Sequence, residues 1–417
     1  MENKIKLFSR FLLGACLPIM ASCGDKIEPL PDPEPEIMAT DLSEDEMANC
    51  YIVTSPGLYK FKADNQFNLG EGLPVPPEIS PVSASLVWQT HKESISTVDF
   101  IEDYIIFEVE NAEGNALIAA LDEDGNIEWT WHIWMPSEEV YSITSATGYE
   151  VMNMNLGALT DTPGEVSSYG LLYQWGRKDP FPAAPSLRGD VSTTGAPLYD
   201  IEGQRVTITN SSWENTSVNN IAYSISHPTV CLSNYSQYLS SRDWLRADMS
   251  DDSLWGNPKG ETKDSEGHYI NKGRKTCYDP SPAGWMVAPP DAFRNFTSSG
   301  GYTWVWDDFN ISDTNGDGEI SLADYNYGWH FNLNSGVGVY FPAAARYDGS
   351  YAMLMGSVSG LWGNYWSNSP YSSISGGAFC ALAFQVEDQT GKEVVTVSPS
   401  GGASRADAYS IRCVRCP

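Results

Sequence analysis

Residues 115–134 read NALIAALDEDGNIEWTWHIW, and this stretch decides the fold class. An apolar run at 115–121 is followed by an acidic turn with a glycine at 122–126, and then by alternating residues at 127–134. Branched and aromatic residues favour strands, and a short glycine-containing turn between two such runs is typical of a β-hairpin. The stretch therefore predicts two antiparallel strands in a β-rich chain.

Further short β-prone runs precede this hairpin, roughly ten residues apart, which is typical of a β-sandwich. They occupy 50–53, 57–61, 85–88 and 104–109. We therefore expect a β-sandwich domain over residues 41–138.

The rest of the chain, 139–417, has a different composition, rich in Gly, Ser, Asn, Tyr and Trp. Long polar stretches at 186–220 and 256–275 interrupt it. Such a pattern predicts short strands, one or two helices and large ordered loops. The chain as a whole is expected to be mainly β with some α.

Charge and composition exclude two classes of protein. The 417 residues include 24 Lys and Arg against 54 Asp and Glu, which gives a formal net charge of -30. Nucleic-acid binding depends on Lys and Arg displacing counterions from phosphates, so a nucleic-acid partner is not expected. Aromatic residues make up 12% of the chain, which is incompatible with an intrinsically disordered body.

The first 22 residues are typical of an export signal. A basic start is followed by an apolar stretch at 11–20, too short for a membrane-spanning helix, and by small residues before Cys23. This resembles a bacterial lipoprotein signal that leaves Cys23 as the lipidated first residue. The segment 13–16 fits the same cleavage motif but leaves a very short apolar core. The alternative is an ordinary secretory signal in which Cys23 is incidental.

Residues 23–40 form an acidic, proline-rich segment, which predicts an extended tether. An acidic tether directly after the lipidated cysteine resembles that of surface-exposed Bacteroidales lipoproteins. It implies a protein held at the cell surface of the outer membrane by lipid alone. A tether that faces the periplasm is the alternative.

Blocks of sequence in the first part resemble the N-terminal domain of Bacteroidales fimbrillin-type surface lipoproteins. The blocks are NCYIV at 49–53, PGLYKF at 56–61, GNALIAA at 114–120, WTWHIW at 129–134, NLGA at 155–158 and GLLYQWGRKDPF at 170–181.

Blocks in the second part resemble the Fibrobacter-type major paralogous domain, which is similar to the C-type-lectin-like fold. The resemblance implies an α+β lectin-like domain with long loops over 139–417. The blocks are YDPSPAGW at 278–285, YFPAA at 340–344, YWS at 365–367 and SIRCVR at 410–415.

These resemblances imply a lipid-anchored adhesin, or a fimbrial tip or accessory protein, that meets a host or microbial glycan or a surface protein. Fimbrial subunits are the other implied partners. One alternative is an outer-membrane lipoprotein that captures glycans for nutrient uptake. A second is an enzyme on a formylglycine-generating-enzyme-like fold. No GxSxG, HExxH or P-loop motif is present, so we expect a protein that is not an enzyme.

Six cysteines follow Cys23, and six cysteines allow 15 disulfide connectivities. The lectin-like resemblance implies a bridge from Cys277 to Cys413. Many family members carry a cysteine at the position of Ser281, so this chain departs from the family pattern there. Buried free thiols are the alternative for Cys231 and Cys380.

Residues 313–324, DTNGDGEISLAD, match a calcium-loop pattern. Oxygen-bearing side chains at every second position suit a hard cation, and the glycine at the sixth position permits the sharp turn. The loop predicts a calcium ion in a structural role; a turn between two strands is the alternative. The expected ligands are Asp313, Asn315, Asp317, Glu319 and Asp324.

Residues 360–368, GLWGNYWSN, crowd aromatic rings among small polar residues. Sugars stack on aromatic rings and accept hydrogen bonds from Asn and Ser, so the composition suits a glycan site. The alternative is that the rings belong to the core of the fold. The Glu-Pro-Asn and Gln-Pro-Asp signatures of calcium-dependent lectins are absent from this region. The expected contact residues are Trp362, Asn364, Tyr365 and Trp366.

Overall fold

The computed structural model describes residues 38–189, 192–211, 216–233, 242–334, 336–387 and 391–417. Strands account for 36% and helices for 8% of the structure, which confirms the prediction of a mainly β protein with some α. The predicted signal segment and Cys23 lie outside the described residues, as does most of the tether.

The strands are short and numerous, as turn residues spread along the whole chain lead us to expect. In chain order the described residues form β1 Thr40–Asp41, β2 Cys50–Ile52, β3 Gly57–Lys62, β4 Ser83–Gln89, β5 Ile95–Ile101, β6 Tyr104–Val109, β7 Gly114–Leu121, β8 Ile127–Met135, β9 Ser142–Thr144, β10 Glu150–Met152, β11 Leu171–Gln174, β12 Phe181–Pro182, β13 Leu198–Tyr199, β14 Arg205–Val206, β15 Thr209–Asn210, β16 Val230–Cys231, β17 Trp285–Val287, β18 Gly328–Asn334, β19 Val337–Pro342, β20 Tyr347–Asp348, β21 Met353–Leu354, β22 Trp362–Tyr371, β23 Gly377–Glu387, β24 Glu393–Ser398, β25 Gly401–Ser404, β26 Ala408–Ser410 and β27 Cys413–Arg415.

Helices in the described residues are brief. The α-helix α1, Ile221–Ser226, begins at Asn220, whose side-chain oxygen accepts a hydrogen bond from the amide of Tyr223. None of the helices in these ranges is long and apolar enough to cross a membrane. The 3₁₀ helices are Val166–Ser168, Thr216–Val218, Pro290–Phe296, Trp306–Asp308, Leu322–Asp324 and Gly356–Val358.

The predicted hairpin is confirmed as β7 and β8, which pair antiparallel with Ile118 opposite Trp131. They lie in a six-stranded sheet of order β14-β13-β4-β7-β8-β2, and a four-stranded sheet of order β1-β3-β6-β5 accompanies it. The two sheets share an aromatic core, in which the rings of Phe61 and Trp131 are 5.2 Å apart. Since Tyr199 of β13 pairs with Gln89 of β4, the six-stranded sheet also contains a segment from beyond residue 138.

The second part of the chain is organised by a nine-stranded sheet with the path β12-β11-β26-β22-β23-β24, to which β20, β21 and β25 are attached. A smaller sheet of order β17-β27-β10-β9 and the hairpin β18-β19 complete it. Trp134 of β8 lies in the same core cluster as Trp366 of β22, and its indole N–H donates to the carbonyl of Ala158 at 2.6 Å. Residues on both sides of the predicted boundary at 138 therefore share a core.

A buried ion pair also joins these segments. Lys178 donates to Asp179 at 2.7 Å and to the carbonyl of Thr130 on β8 at 3.2 Å, and all three residues are buried. A buried charge is tolerated only when it is paired and hydrogen-bonded. The pair thus fixes residues 178–179 against the six-stranded sheet.

Candidate functional site

The structure separates the four residues predicted to contact a glycan. Tyr365 and Trp366 are fully buried: the Tyr365 hydroxyl donates to the carbonyl of Pro342 at 2.6 Å, and the Trp366 indole donates to the carbonyl of Tyr173 at 2.7 Å. Neither ring reaches solvent. The prediction is therefore corrected for these two residues, which belong to the core.

Trp362 and Asn364 are half-buried on the same strand, β22. The Trp362 indole donates to the carbonyl of Glu387 at 2.8 Å, and the guanidinium of Arg346 lies 5.3 Å from its ring centroid. The Trp362 ring therefore helps to position the Arg346 guanidinium. The buried Oδ1 of Asn364 has no hydrogen-bond partner in the described part of the chain.

The residues of the predicted calcium loop are engaged with the loop's own backbone. Asp313 accepts from the amide of Gly316 at 2.6 Å, Asn315 from that of Asp317 at 2.8 Å, and Asp317 from that of Glu319 at 2.9 Å. These contacts give the loop its turns. Within the described ranges no group of three or more His, Cys, Asp or Glu side chains is placed to hold a metal ion, so calcium stays a prediction of the sequence.

Asp324 closes the loop as a hydrogen-bond acceptor. Its buried carboxylate accepts from the amides of Thr314 at 2.7 Å, Asn315 at 3.2 Å and Ser321 at 3.0 Å. Burial alone would raise the pKa of Asp324, but these hydrogen bonds outweigh it and lower the pKa below its usual value. The ionised carboxylate therefore stabilises the loop.

We expect Asp324→Asn to reduce the free energy of unfolding at pH 7 by about 2 kcal/mol, because an amide accepts these bonds less well than a carboxylate. Since a lowered pKa gives stability that is lost as pH falls through it, the difference from the native chain should shrink below about pH 4. Urea unfolding at pH 7 and pH 3 measures both effects. Asp317→Asn, at an exposed position, is the matched control, and equal losses in both variants would contradict this role.

The predicted bridge between Cys277 and Cys413 is not formed in this structure. All six cysteines of the described residues are free thiols. Cys277 packs into the core shared by the two N-terminal sheets, whereas Cys413 on β27 packs into the cluster around β22. Burial raises the pKa of Cys277 to about 12, so its thiol is a weak nucleophile.

An exposed pair of aromatic side chains lies elsewhere, on residues 297–309, which we call the aromatic loop. Tyr302 is 58% and Trp304 68% exposed, and Val305 beside them is also exposed. The two rings are 5.8 Å apart and inclined by 60°. A contiguous exposed apolar patch marks a binding surface more often than isolated exposed residues do.

Backbone pairing holds the aromatic loop in place at its middle and at its ends. Buried Thr303 exchanges two backbone hydrogen bonds with Val397 of β24, at 2.9 and 3.0 Å. Because neighbouring residues of an extended segment point to opposite sides, Thr303 faces inward while Tyr302 and Trp304 face outward. Thr297 and Phe309 pair in a β-bridge at the ends of the loop.

Further contacts fix the second half of this loop. The Trp306 ring packs edge-on against Trp329, with centroids 6.2 Å apart, and Asp308 accepts from the amide of Ser299 at 2.9 Å. The exposed rings therefore sit on an anchored backbone. Rings with few rotatable bonds on a fixed backbone bind with little loss of conformational entropy.

The local pattern at 302–306 predicts only a strand, the one that would precede residues 313–324 if these form a turn between two strands. The signal that marks the site is the alternation of aromatic residues in YTWVW, which places Tyr302 and Trp304 on one face. The alternation does not show which face is exposed, because that depends on the distant Val397.

Comparisons with protein-family models, with curated proteins and with solved structures found no match to this chain. The resemblance to fimbrillin-type lipoproteins and to the major paralogous domain therefore rests on the sequence blocks alone.

Proposed function

We propose that this chain is a lipid-anchored cell-surface adhesin, or a fimbrial tip or accessory protein, that binds a glycan through the aromatic loop. The observation that carries the proposal is the pair Tyr302 and Trp304, both more than half exposed and both flanking Thr303, which is hydrogen-bonded to β24. The anchor at Cys23 and the outer-membrane location rest on the sequence, since residue 23 lies outside the described ranges.

The chemistry of the aromatic loop suits a neutral glycan. A pyranose ring presents C–H faces that stack on indole and phenol rings, and the inclined pair offers two such faces. Exposed Asp307, three residues after Trp304, and the formal net charge of -30 disfavour an anionic ligand. The contact is one of binding and not of reaction, so we propose no enzymatic activity.

Trp304→Ala is expected to weaken glycan binding by about tenfold to a hundredfold, because buried aromatic anchors dominate many interfaces. Residues 39–417, which form one compact unit, are suitable for the measurement. A glycan array identifies the ligand, and surface plasmon resonance then compares the native and variant chains. Tyr302→Ala should also weaken glycan binding, by a smaller factor.

Tyr141→Ala provides the matched control, since Tyr141 is an exposed aromatic residue outside the aromatic loop. It should bind like the native chain. Running the array in calcium and in a chelator separates any contribution of residues 313–324. Absence of binding to every glycan in both conditions would overturn the proposal, and so would equal binding by Trp304→Ala and the native chain.

A further inference from the structure

A second region combines a cavity with side chains whose hydrogen-bonding capacity is unused. This cleft of about 420 Å³ lies beside β20, β25 and β26, and we call it the Arg346 cleft. Two arginines and two aspartates line it, so its formal charge is balanced within a strongly acidic chain. Its polar lining residues include Arg242, Arg346, Asp348, Ser350, Asp407 and Tyr409.

The guanidinium of Arg346 is packed against neighbouring side chains but has few hydrogen-bond acceptors within reach. Its central carbon lies 5.3 Å from the centroid of the Trp362 ring, and one terminal nitrogen donates to the Tyr409 hydroxyl at 3.3 Å. The nearest carboxylate oxygens, of Asp407 and Asp348, lie 3.7 and 3.8 Å away, beyond hydrogen-bond distance. Its Nε is buried and has no partner among the described residues. Because Nε is buried, the donors that remain for a ligand are on the terminal nitrogens of this side chain, which is 20% exposed.

The two aspartates differ in how far their oxygens are used. Both oxygens of Asp407 accept a hydrogen bond at 2.8 Å, one from the amide of Gly349 and the other from the Tyr409 hydroxyl. Asp348 uses Oδ1 to accept from the amide of Ser350 at 2.9 Å, and its Oδ2 faces Arg346. An acceptor on Asp348 and a donor on Arg346 therefore stand side by side at 3.8 Å.

We propose that the Arg346 cleft binds a neutral sugar through two adjacent hydroxyl groups. One hydroxyl donates to Asp348 Oδ2, and its neighbour accepts from the guanidinium of Arg346. Neighbouring hydroxyls that both donate and accept are the defining feature of sugars. An anion would be drawn to Arg346, but it would meet two carboxylates within 4 Å of that guanidinium. The site goes beyond the proposed function, because it shares no residue with the aromatic loop and each site can fail without the other.

Calorimetric titration with methyl glycosides of glucose, galactose and mannose tests the proposal, with glucuronate as the anionic probe. At least one neutral glycoside should bind. Asp348→Asn and Arg346→Gln should each weaken that binding about tenfold or more. The deoxy analogue that lacks one of the two contacting hydroxyls should lose a similar factor, and added salt should have little effect on neutral sugar binding.

Trp304→Ala should leave glycoside binding in this cleft unchanged, which separates this test from that of the aromatic loop. Arg188→Gln is the matched control, because Arg188 is a surface arginine paired with Glu387 outside the cleft. If Arg346→Gln fails to fold, Asp348→Asn carries the test alone. Tighter binding of glucuronate than of any neutral glycoside would overturn the inference, as would binding that is unaffected by Asp348→Asn, or no binding of any glycoside.

Discussion

Replacing Arg412 by alanine is expected to lower the free energy of unfolding by about 5 kcal/mol, the upper range for removing a buried charged group from its partners. Arg412 is fully buried and has no carboxylate partner in hydrogen-bond range among the described residues. Its guanidinium instead donates to the carbonyls of Met152, Asn153 and Tyr340 and to Asn155 Oδ1, at 2.6 to 3.1 Å.

The substitution removes all of these bonds together. It leaves buried carbonyl oxygens without donors, each of which costs roughly 1–3 kcal/mol, and opens a cavity beside Phe341, whose ring lies 4.1 Å from the guanidinium. Burial lowers the pKa of Arg412 to about 10, so it stays charged at neutral pH. Urea unfolding followed by circular dichroism measures the loss.

Arg412→Lys should give an intermediate loss of about 2–3 kcal/mol, because lysine keeps the charge but not the planar fork of donors. This variant also serves if Arg412→Ala does not fold. Arg415→Ala is the control: Arg415 ends β27, which begins directly after Arg412, and it is exposed and lies over Trp285. Equal unfolding midpoints for the Arg412 and Arg415 variants would contradict the structural role of Arg412.

Acidification from pH 7 to pH 4 should cost the native chain about 3 kcal/mol more stability than it costs His132→Gln. His132 is buried on β8, and its Nε2 lies 2.8 Å from Asn115 Oδ1. Burial lowers the pKa of His132 to about 3, from a usual value of 6.5. Between these values the unfolded chain binds a proton that the folded chain does not, at about 1.4 kcal/mol per pH unit.

Stability should therefore fall with pH below about 6.5 in the native chain. Glutamine keeps a hydrogen-bond donor toward Asn115 and does not titrate. The stability of His132→Gln should therefore lack the pH dependence that His132 causes. Carboxylates such as Asp243 and Asp407, whose pKa values burial raises, act in both proteins and cancel in the comparison. Parallel profiles of unfolding free energy against pH for the two proteins, between pH 7 and pH 4, would contradict a lowered pKa of His132 in the folded chain.

Local sequence patterns predicted the hairpin β7–β8 and the strand β6, because alternation and turn chemistry act over a few residues. His132 lies in the second strand of this hairpin and is buried. Composition also predicted the mainly β class. These features need no knowledge of distant parts of the chain.

The contacts that define the candidate site depend on distant segments. Tyr365 and Trp366 lie in a polar, aromatic run whose composition suits a ligand-binding surface. Both side chains are nevertheless buried, and they donate hydrogen bonds to the carbonyls of Pro342 and Tyr173. Conversely, Trp304 is exposed because Thr303 pairs with Val397. The sequence around each ring cannot reveal which side of its strand another sheet will cover.

The central claim is that Tyr302 and Trp304 make the ligand contact. Two-dimensional ¹⁵N NMR of residues 39–417 tests it most directly, since each indole N–H gives its own signal and Trp304→Phe identifies that of Trp304. On titration with the strongest glycan of the array, the Trp304 signal should shift with the binding curve, while that of buried Trp366 stays in place. A Trp304 signal that does not move while the glycan binds would contradict the account.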